Sequence, residues 1–379
     1  MNPISHITAA IRMKACHGPM PTSRFFGSDE ITTKDTAIDA GWPSNRITEI
    51  DPEITIEGLK TLRLPDENYL VAVKNQGYII TACSASDLDE IHQTKTFPED
   101  HQFPTGCMQG KTAIVTGAAQ GFGQGIAISF FEEGANVVIA DLNETKGEQL
   151  ANDLNMQNRA NKAFFVKCNV ADATSAKEMI NKTVLHFGGI DTLISNAGIL
   201  RAGGLEEMEP DVFDLMTRVN YNGFFHCAKS ASAIMKIQTS MVPDYFADII
   251  QINSKSGLKG SNKNFAYAGA KFGGIGLTQS FALELMPHRI KVNAVCPGNF
   301  FEGPLWSDPE KGLFVQYLNT GKVPGAKSIG DVKKHYEEQV PAGRGCRVKD
   351  VVRALFYAIE QEYETGQAIP VTGGQNMLS

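Results

Sequence analysis

Thr112-Ala-Ile-Val-Thr116, then Gly117-Ala-Ala-Gln120-Gly121-Phe122-Gly123, then a proline-free run to about Glu133, is the stretch that decides the fold. Its first five residues are apolar or β-branched and read as a buried strand. Three glycines follow, so the backbone is free to turn sharply there. The remainder reads as a helix, so the segment is a strand-turn-helix unit. Outward from it the same alternation repeats. Further strands are expected at Asn136–Ala140, Ala163–Lys167, Thr192–Ser195, Asp248–Asn253 and Lys291–Val295, each preceded by a helical stretch. Short strands alternating with helices imply parallel pairing through right-handed crossovers. The expected fold is α/β, a doubly wound parallel sheet (Rossmann-like), with a small N-terminal α+β extension.

The chain changes character near residue 108. Before it, elements are short and broken by proline. Tyr69–Lys74 and Tyr78–Cys83 flank Asn75-Gln76-Gly77 and read as a hairpin with a three-residue turn. Ser86 is the expected cap of a short acidic helix starting at Asp87. Thr96 to Gly106, with two prolines, is the expected linker. Two units result: 1–104, a small domain or extension of unknown role, and 105–379, the larger unit that contains the strand-turn-helix segment.

The 379 residues carry 35 Lys+Arg against 42 Asp+Glu, a formal charge of -7. No global basic field exists to attract nucleic acid or an anionic membrane. Residues 1–107 hold 9 basic and 15 acidic side chains, leaving 26 and 27 for the rest. The larger part is therefore nearly neutral, which suits an anionic metabolite better than strong acidity does. Seven cysteines form no Cys-x-x-Cys pair, so neither a disulfide framework nor a metal site is expected, and a reducing cytoplasm fits. No apolar run is long enough to span a bilayer. The first 28 residues lack acids, but Pro3, Pro19 and Pro21 leave room for only a short helix; an ordinary N-terminus is expected.

A glycine turn between strand and helix lets a pyrophosphate approach the backbone at a helix N-terminus. Asp141, ending the next strand, can accept both hydroxyls of an adenosine ribose and would repel a 2′-phosphate. No Lys or Arg lies within the glycine loop, so NAD is expected over NADP. A simpler reading makes Asp141 a helix cap. Asn196-Ala197-Gly198 ends the fourth strand, at the edge where such sheets bind ligands. Tyr267 and Lys271 stand four residues apart on one helix face, where a cation beside a phenol lowers its pKa. Ser254 lies thirteen residues upstream, just past a strand.

From Met108 to the C-terminus the chain resembles the short-chain dehydrogenase/reductase family. Thr116 to Gly123, Asn196 to Gly198, Asn220, Ser254, Tyr267 to Lys271 and Pro297-Gly298 carry the resemblance in both order and spacing. It implies that Tyr267 exchanges a proton with the substrate and that Ser254 holds the reacting oxygen. It implies further that Lys271 holds the nicotinamide ribose while Asn220 holds a water linking Lys271 to solvent. Gly117, Gln120, Gly121, Phe122, Gly123, Asn169 and Val170 would line the cofactor with Asp141, and a homo-oligomer, tetramer or dimer, is implied. Asn169 stands where the family usually has an Asp beside the adenine, and an amide oxygen can still accept from the adenine amino group.

Within the family, Gln251 to Gly257, Ala270 to Ser280, Arg344-Gly-Cys346 and Val371 to Gln375 resemble dehydrogenases of sugar-alcohol phosphates. Lys255, directly after the catalytic serine, is the informative residue; Lys255, Lys259 and Arg344 are the expected phosphate ligands. Other readings are a reductase for another sugar, polyol or acyl substrate, and an NAD-sensing protein without turnover. The stretch between Pro297 and Arg344, with Trp306, is expected to form a substrate lid. Trp306 would either stack on a sugar or pack the lid.

Overall fold

The computed structural model describes residues 2–15, 20–64, 69–98 and 103–377. The N-terminal part runs α1 (Pro3–Lys14), β1 (Thr22–Gly27), α2 (Lys34–Asp39), β2 (Ile47–Ile50), α3 (Ile56–Thr61), β3 (Tyr69–Val73), β4 (Gly77–Ala82) and α4 (Ala85–Thr94). Its four strands form a mixed sheet in the order β1-β4-β3-β2, with β2 parallel to β3 and the rest antiparallel. The expected hairpin is β3–β4. Asn75 (φ 55°) and Gly77 (φ 137°) make its turn, and a Cβ on Gly77 would sit 2.1 Å from the Phe26 carbonyl oxygen. The cap of α4 is Ser84, whose hydroxyl accepts from the Asp87 amide at 3.1 Å. Ser86 was expected in that role, but it lies within the first turn and its amide donates to the Ala160 carbonyl. Part of the expected linker, residues 99–102, lies outside the described residues.

The larger part contains β5 (Thr112–Thr116), α5 (Gly121–Glu132), β6 (Asn136–Asp141), α6 (Glu144–Asn155), β7 (Ala163–Lys167), α7 (Ala173–Phe187) and β8 (Thr192–Ser195). Then follow α8 (Pro210–Thr217), α9 (Gly223–Met241), β9 (Ala247–Ile252), α10 (Phe265–Leu285) and β10 (Ile290–Pro297). The chain ends with α11 (Pro304–Ser307), α12 (Leu313–Asn319), α13 (Ile329–Glu338), α14 (Val348–Glu360) and β11 (Ala368–Val371). Seven strands lie in the order β11-β10-β9-β8-β5-β6-β7, every described pairing parallel. The sheet is doubly wound as expected, with helices on both faces, and its order reverses between β5 and β8. All its carboxyl ends share one edge, so the loops after them converge there.

One apolar core lies on each face of this sheet. The face under α7 and α9 includes Ala9, Met13 and Ala85 from the N-terminal part, all buried. Arg12 of α1 is likewise buried and forms a two-pronged ion pair with Asp191, at 3.1 and 2.7 Å, just before β8. Asp191 also accepts from the Thr112 amide and from the Tyr245 hydroxyl. The opposed desolvation and Arg12 attraction leave its carboxyl below the usual range. Residues 304–338 form a small helical lobe with its own aromatic core. Trp306 is buried at its centre, with Phe301, Phe314 and Tyr336 ring centroids 5.0–5.1 Å away. Trp306 therefore packs the lobe.

Candidate active site

The switch point between β5 and β8 is held by side chain-to-backbone bonds. Asn196 donates through Nδ2 to the carbonyls of Thr116 (2.8 Å) and Gly117 (3.1 Å). Thr116 Oγ1 accepts from the amides of Asn196 and Ala197, both at 3.0 Å. The glycines are needed for space: a Cβ on Gly117 would lie 2.8 Å from Ala197 Cα, and one on Gly123 2.2 Å from the Gly117 oxygen. A Cβ on Gly121 would lie 3.7 Å from Pro304 of the lobe, and the Phe122 ring stacks on Phe300 with centroids 4.5 Å apart. Gln120 precedes α5 with its side chain exposed.

Asp141 ends β6 and accepts from the Ala119 amide through Oδ2 and the Asn143 amide through Oδ1, both at 2.9 Å. The helix cap that follows is Asn143, which accepts from the Lys146 amide at 3.1 Å. Asp141 thus braces the glycine turn while its remaining lone pairs stay available. Exposed Asn169 accepts from the Ala171 amide through Oδ1 at 3.1 Å, beside buried Val170. Across the edge, Pro297 ends β10 and Gly298 follows it. Buried Asn299 follows, and its Nδ2 has no hydrogen-bond partner among the described residues. The glycine turn at a helix N-terminus, the Asp141 carboxylate and the unpartnered Asn299 amide could together hold a nucleotide.

Between α8 and α9 the helix widens into a π-turn at Arg218–Asn222. Such a turn inserts a residue and redirects side chains. Here buried Asn220 donates to the Ile199 and Met216 carbonyls (2.8 and 2.9 Å) and accepts from the Ile199 amide (3.0 Å). A Cβ on Gly198 would lie 2.8 Å from Asn220 Oδ1 and 3.8 Å from Lys271 Nζ. Gly198, Asn220 and Lys271 therefore meet at one point.

Ser254 follows β9, and Tyr267 and Lys271 lie on α10, so their alignment depends on how the two elements are joined. Asn253 makes the joint: its Nδ2 donates to Gln251 (2.7 Å) and to the Lys271 carbonyl (2.9 Å), while its Oδ1 accepts from the Ser254 amide (2.8 Å). Gly257 and Gly274 leave it room. Gln251 and Asn253 were visible only as neighbours in a motif. Their brace role has no local sequence signature. The Tyr267 phenol is hydrogen-bonded to Ser254, whose Oγ also accepts from the Ser256 amide at 3.1 Å.

The expected lowering of the phenol by Lys271 is absent here. Burial dominates, pushing the Tyr267 phenol up to about 12 despite the Ser254 bond. It also pushes the Lys271 ammonium down to about 8. The ammonium donates to the Ile252 carbonyl at 2.8 Å and stands 5.5 Å from the Tyr267 ring centroid, so it acts on the ring from a distance.

The three expected phosphate ligands fare differently. Lys255 lies beside Ser254, half-buried, without a side-chain hydrogen bond or ion pair among the described residues, and burial pushes it down to about 8. Lys259 is exposed. Arg344 is engaged bidentately by Asp350 at 2.7 and 3.1 Å, which neutralises the charge that it would offer. His226 and Cys227 are structural: His226 Nδ1 meets the Val170 carbonyl at 2.9 Å and Cys227 is fully buried. Among the described residues no cluster of His, Cys, Asp or Glu could hold a metal.

The profile of the short chain dehydrogenase family matches residues 111–306. A sorbitol-6-phosphate 2-dehydrogenase of Escherichia coli (strain K12) is 36% identical, covering 71% of this chain and 99% of its own. A 3-oxoacyl-[acyl-carrier-protein] reductase of Thermotoga maritima is 30% identical, covering 70% and 98%. The crystal structure of a sorbitol-6-phosphate 2-dehydrogenase from Erwinia amylovora superposes with a TM-score of 0.65 at 34% identity, covering 70% of this chain and 100% of that one.

Proposed function

The chain belongs to the short-chain dehydrogenase family, and from that premise we propose that it moves hydride between sorbitol 6-phosphate, giving fructose 6-phosphate, and NAD. The nicotinamide, when bound, carries the hydride. Everything else falls to residues of this chain. The glycine turn, Asn169, Val170, Asn196 to Gly198 and Pro297-Gly298 hold the cofactor, and Asp141 takes the adenosine ribose. Tyr267 passes the proton to and from the substrate oxygen, Ser254 fixes that oxygen, and Lys271 holds a ribose hydroxyl. Asn220, packed at Gly198, keeps open a proton route to Lys271.

The observation that carries the substrate reading is Lys255. A half-buried ammonium next to the catalytic serine, without a carboxylate partner among the described residues, supports a substrate that brings its own negative charge. The relatives of sorbitol-6-phosphate specificity point the same way. The oxoacyl reductases among the relatives favour a second reading, an acyl substrate held against the aromatic lobe. Exposed Phe225 on α9 and Phe272 and Leu283 on α10 support a homo-oligomer, tetramer or dimer. Cys107, Cys168, Cys227, Cys296 and Cys346 are free thiols, which supports a reducing compartment, the cytoplasm; Cys16 lies outside the described residues. No described helix is long and apolar enough to cross a membrane.

The test is nicotinamide reduction by the purified protein with sorbitol 6-phosphate or sorbitol, each with NAD or NADP. Turnover confined to the phosphate with NAD is expected. Equal turnover of free sorbitol would remove the phosphate argument and leave the dehydrogenase standing. Activity only on an oxoacyl thioester would install the second reading.

A further inference from the structure

Lys322 belongs to no motif. It lies in the loop between α12 and α13, and its side chain reaches back toward the loop after Ser254. Its ammonium is 3.3 Å from Ser261 Oγ and 4.2 Å from the Tyr317 ring centroid. With its amide turned to satisfy its neighbours, Asn264 accepts from both the Tyr317 hydroxyl (2.7 Å) and Lys322 Nζ (2.8 Å). Every one of these partners is neutral. The third lysine nearby, Lys263, is accounted for: it donates to the Thr320 carbonyl at 2.7 Å and stands 3.6 Å from Glu207.

Lys322 therefore rests on Ser261 and Asn264 of the stretch that begins at Lys255, and among the described residues neither lysine is paired with a carboxylate. Burial pushes Lys322 down to about 8, and repulsion from Lys255 and Lys263 adds to it. A fold does not gain stability by gathering half-buried ammonium groups, and no described carboxylate pairs with these two, so an anionic ligand would complete the arrangement. Its place relative to the chemistry is fixed by Tyr317. That ring lies under Lys322 and belongs to the lobe core against which Tyr267 packs.

We propose that Lys322, from the lobe, and Lys255, from the loop after β9, grip the substrate phosphate between them, so that the lobe seats fully only on substrates carrying that group. The inference rests on the sugar-phosphate reading above and adds its second, lobe-borne ligand. Lys259 and Arg344 then lie outside the grip.

The experiment is steady-state kinetics of the full chain and its Lys322→Met and Lys322→Arg variants on sorbitol 6-phosphate, with inorganic phosphate as a competing inhibitor. Lys322→Met is expected to raise KM for the phosphorylated polyol, and to weaken inhibition by inorganic phosphate, each about 10- to 100-fold, with kcat much less affected. Lys322→Arg should recover most of both losses. If Lys322→Met matches the parent in KM and in phosphate inhibition, the lobe ligand is wrong and the sugar-phosphate reading stands. A loss in kcat alone, unrescued by arginine, also overturns it, since that marks a merely structural lysine. A parent indifferent to the substrate phosphate removes the underlying reading and the proposal together.

Discussion

At Tyr267 two effects oppose each other, and burial outweighs the bond from Ser254, leaving a phenol near 12. Oxidation needs the phenolate as base, so below that value its fraction grows about tenfold per pH unit. A nicotinamide cation, when bound, would favour the phenolate and bring the midpoint lower. The kcat for polyol oxidation is expected to climb with pH toward a plateau, and Tyr267→Phe should abolish it by about 100-fold or more while cofactor binding persists. A parallel fluorescence titration of the cofactor checks the second half. The lysines run the other way. Lys255 and Lys322 lose charge as pH rises through about 8, so KM for the phosphorylated substrate should rise above that pH. Tyr267, Lys271 and Ser254 were legible in the chain because their spacing is local. Lys322 was not, because what distinguishes it is the missing counter-charge of a residue distant in sequence.

Among the elements, α1 is the one whose role the sequence hid. Its acid-free composition drew notice, but its partner Asp191 lies 179 residues further on, and no periodicity reports such a distance. Removing one member of a buried pair strands the other, at about 3–5 kcal/mol. Arg12→Met is therefore expected to lower stability by that order in urea unfolding, and Arg12→Met with Asp191→Asn to recover part of it. Full cost in the double variant would show that packing, not charge, is at stake. The pH sign follows from the carboxyl being held low by Arg12: its stabilisation is present above the ordinary carboxylate range and fades as pH falls through the lowered value. The strands from β5 to β10 were readable because buried parallel strands are short apolar runs bounded by turns. β1, β2 and β11 were missed: β1 follows a proline and carries Arg24, β2 is interrupted by Thr48 and Glu49, and β11 contains Pro370. The cap of α4 fell two residues early because Ser84 and Ser86 compete in one short stretch and only the hydrogen-bond geometry chooses between them. The widening of the helix at Asn220 has no composition signal at all.

Across the whole molecule, the N-terminal part and the larger sheet share a core, so the change of character near residue 108 marks a change of architecture within one packed body. The matched relatives cover about 70% of the chain, and the remainder adds a sheet of its own. Consider what the Arg12–Asp191 pair means for a chain emerging from the ribosome. The apolar face of α1 is made well before its cover, since α7 and α9 end at Phe187 and Met241. At roughly 5–20 residues per second that face waits about 10–45 s for its cover. Arrested chains ending near Phe187 should therefore be cleaved readily by protease within α1, and chains long enough to expose Met241 should resist; equal resistance would mean the small sheet shelters the helix alone. A helix made early is thus sealed late, and the time before sealing is when the growing chain most needs a chaperone.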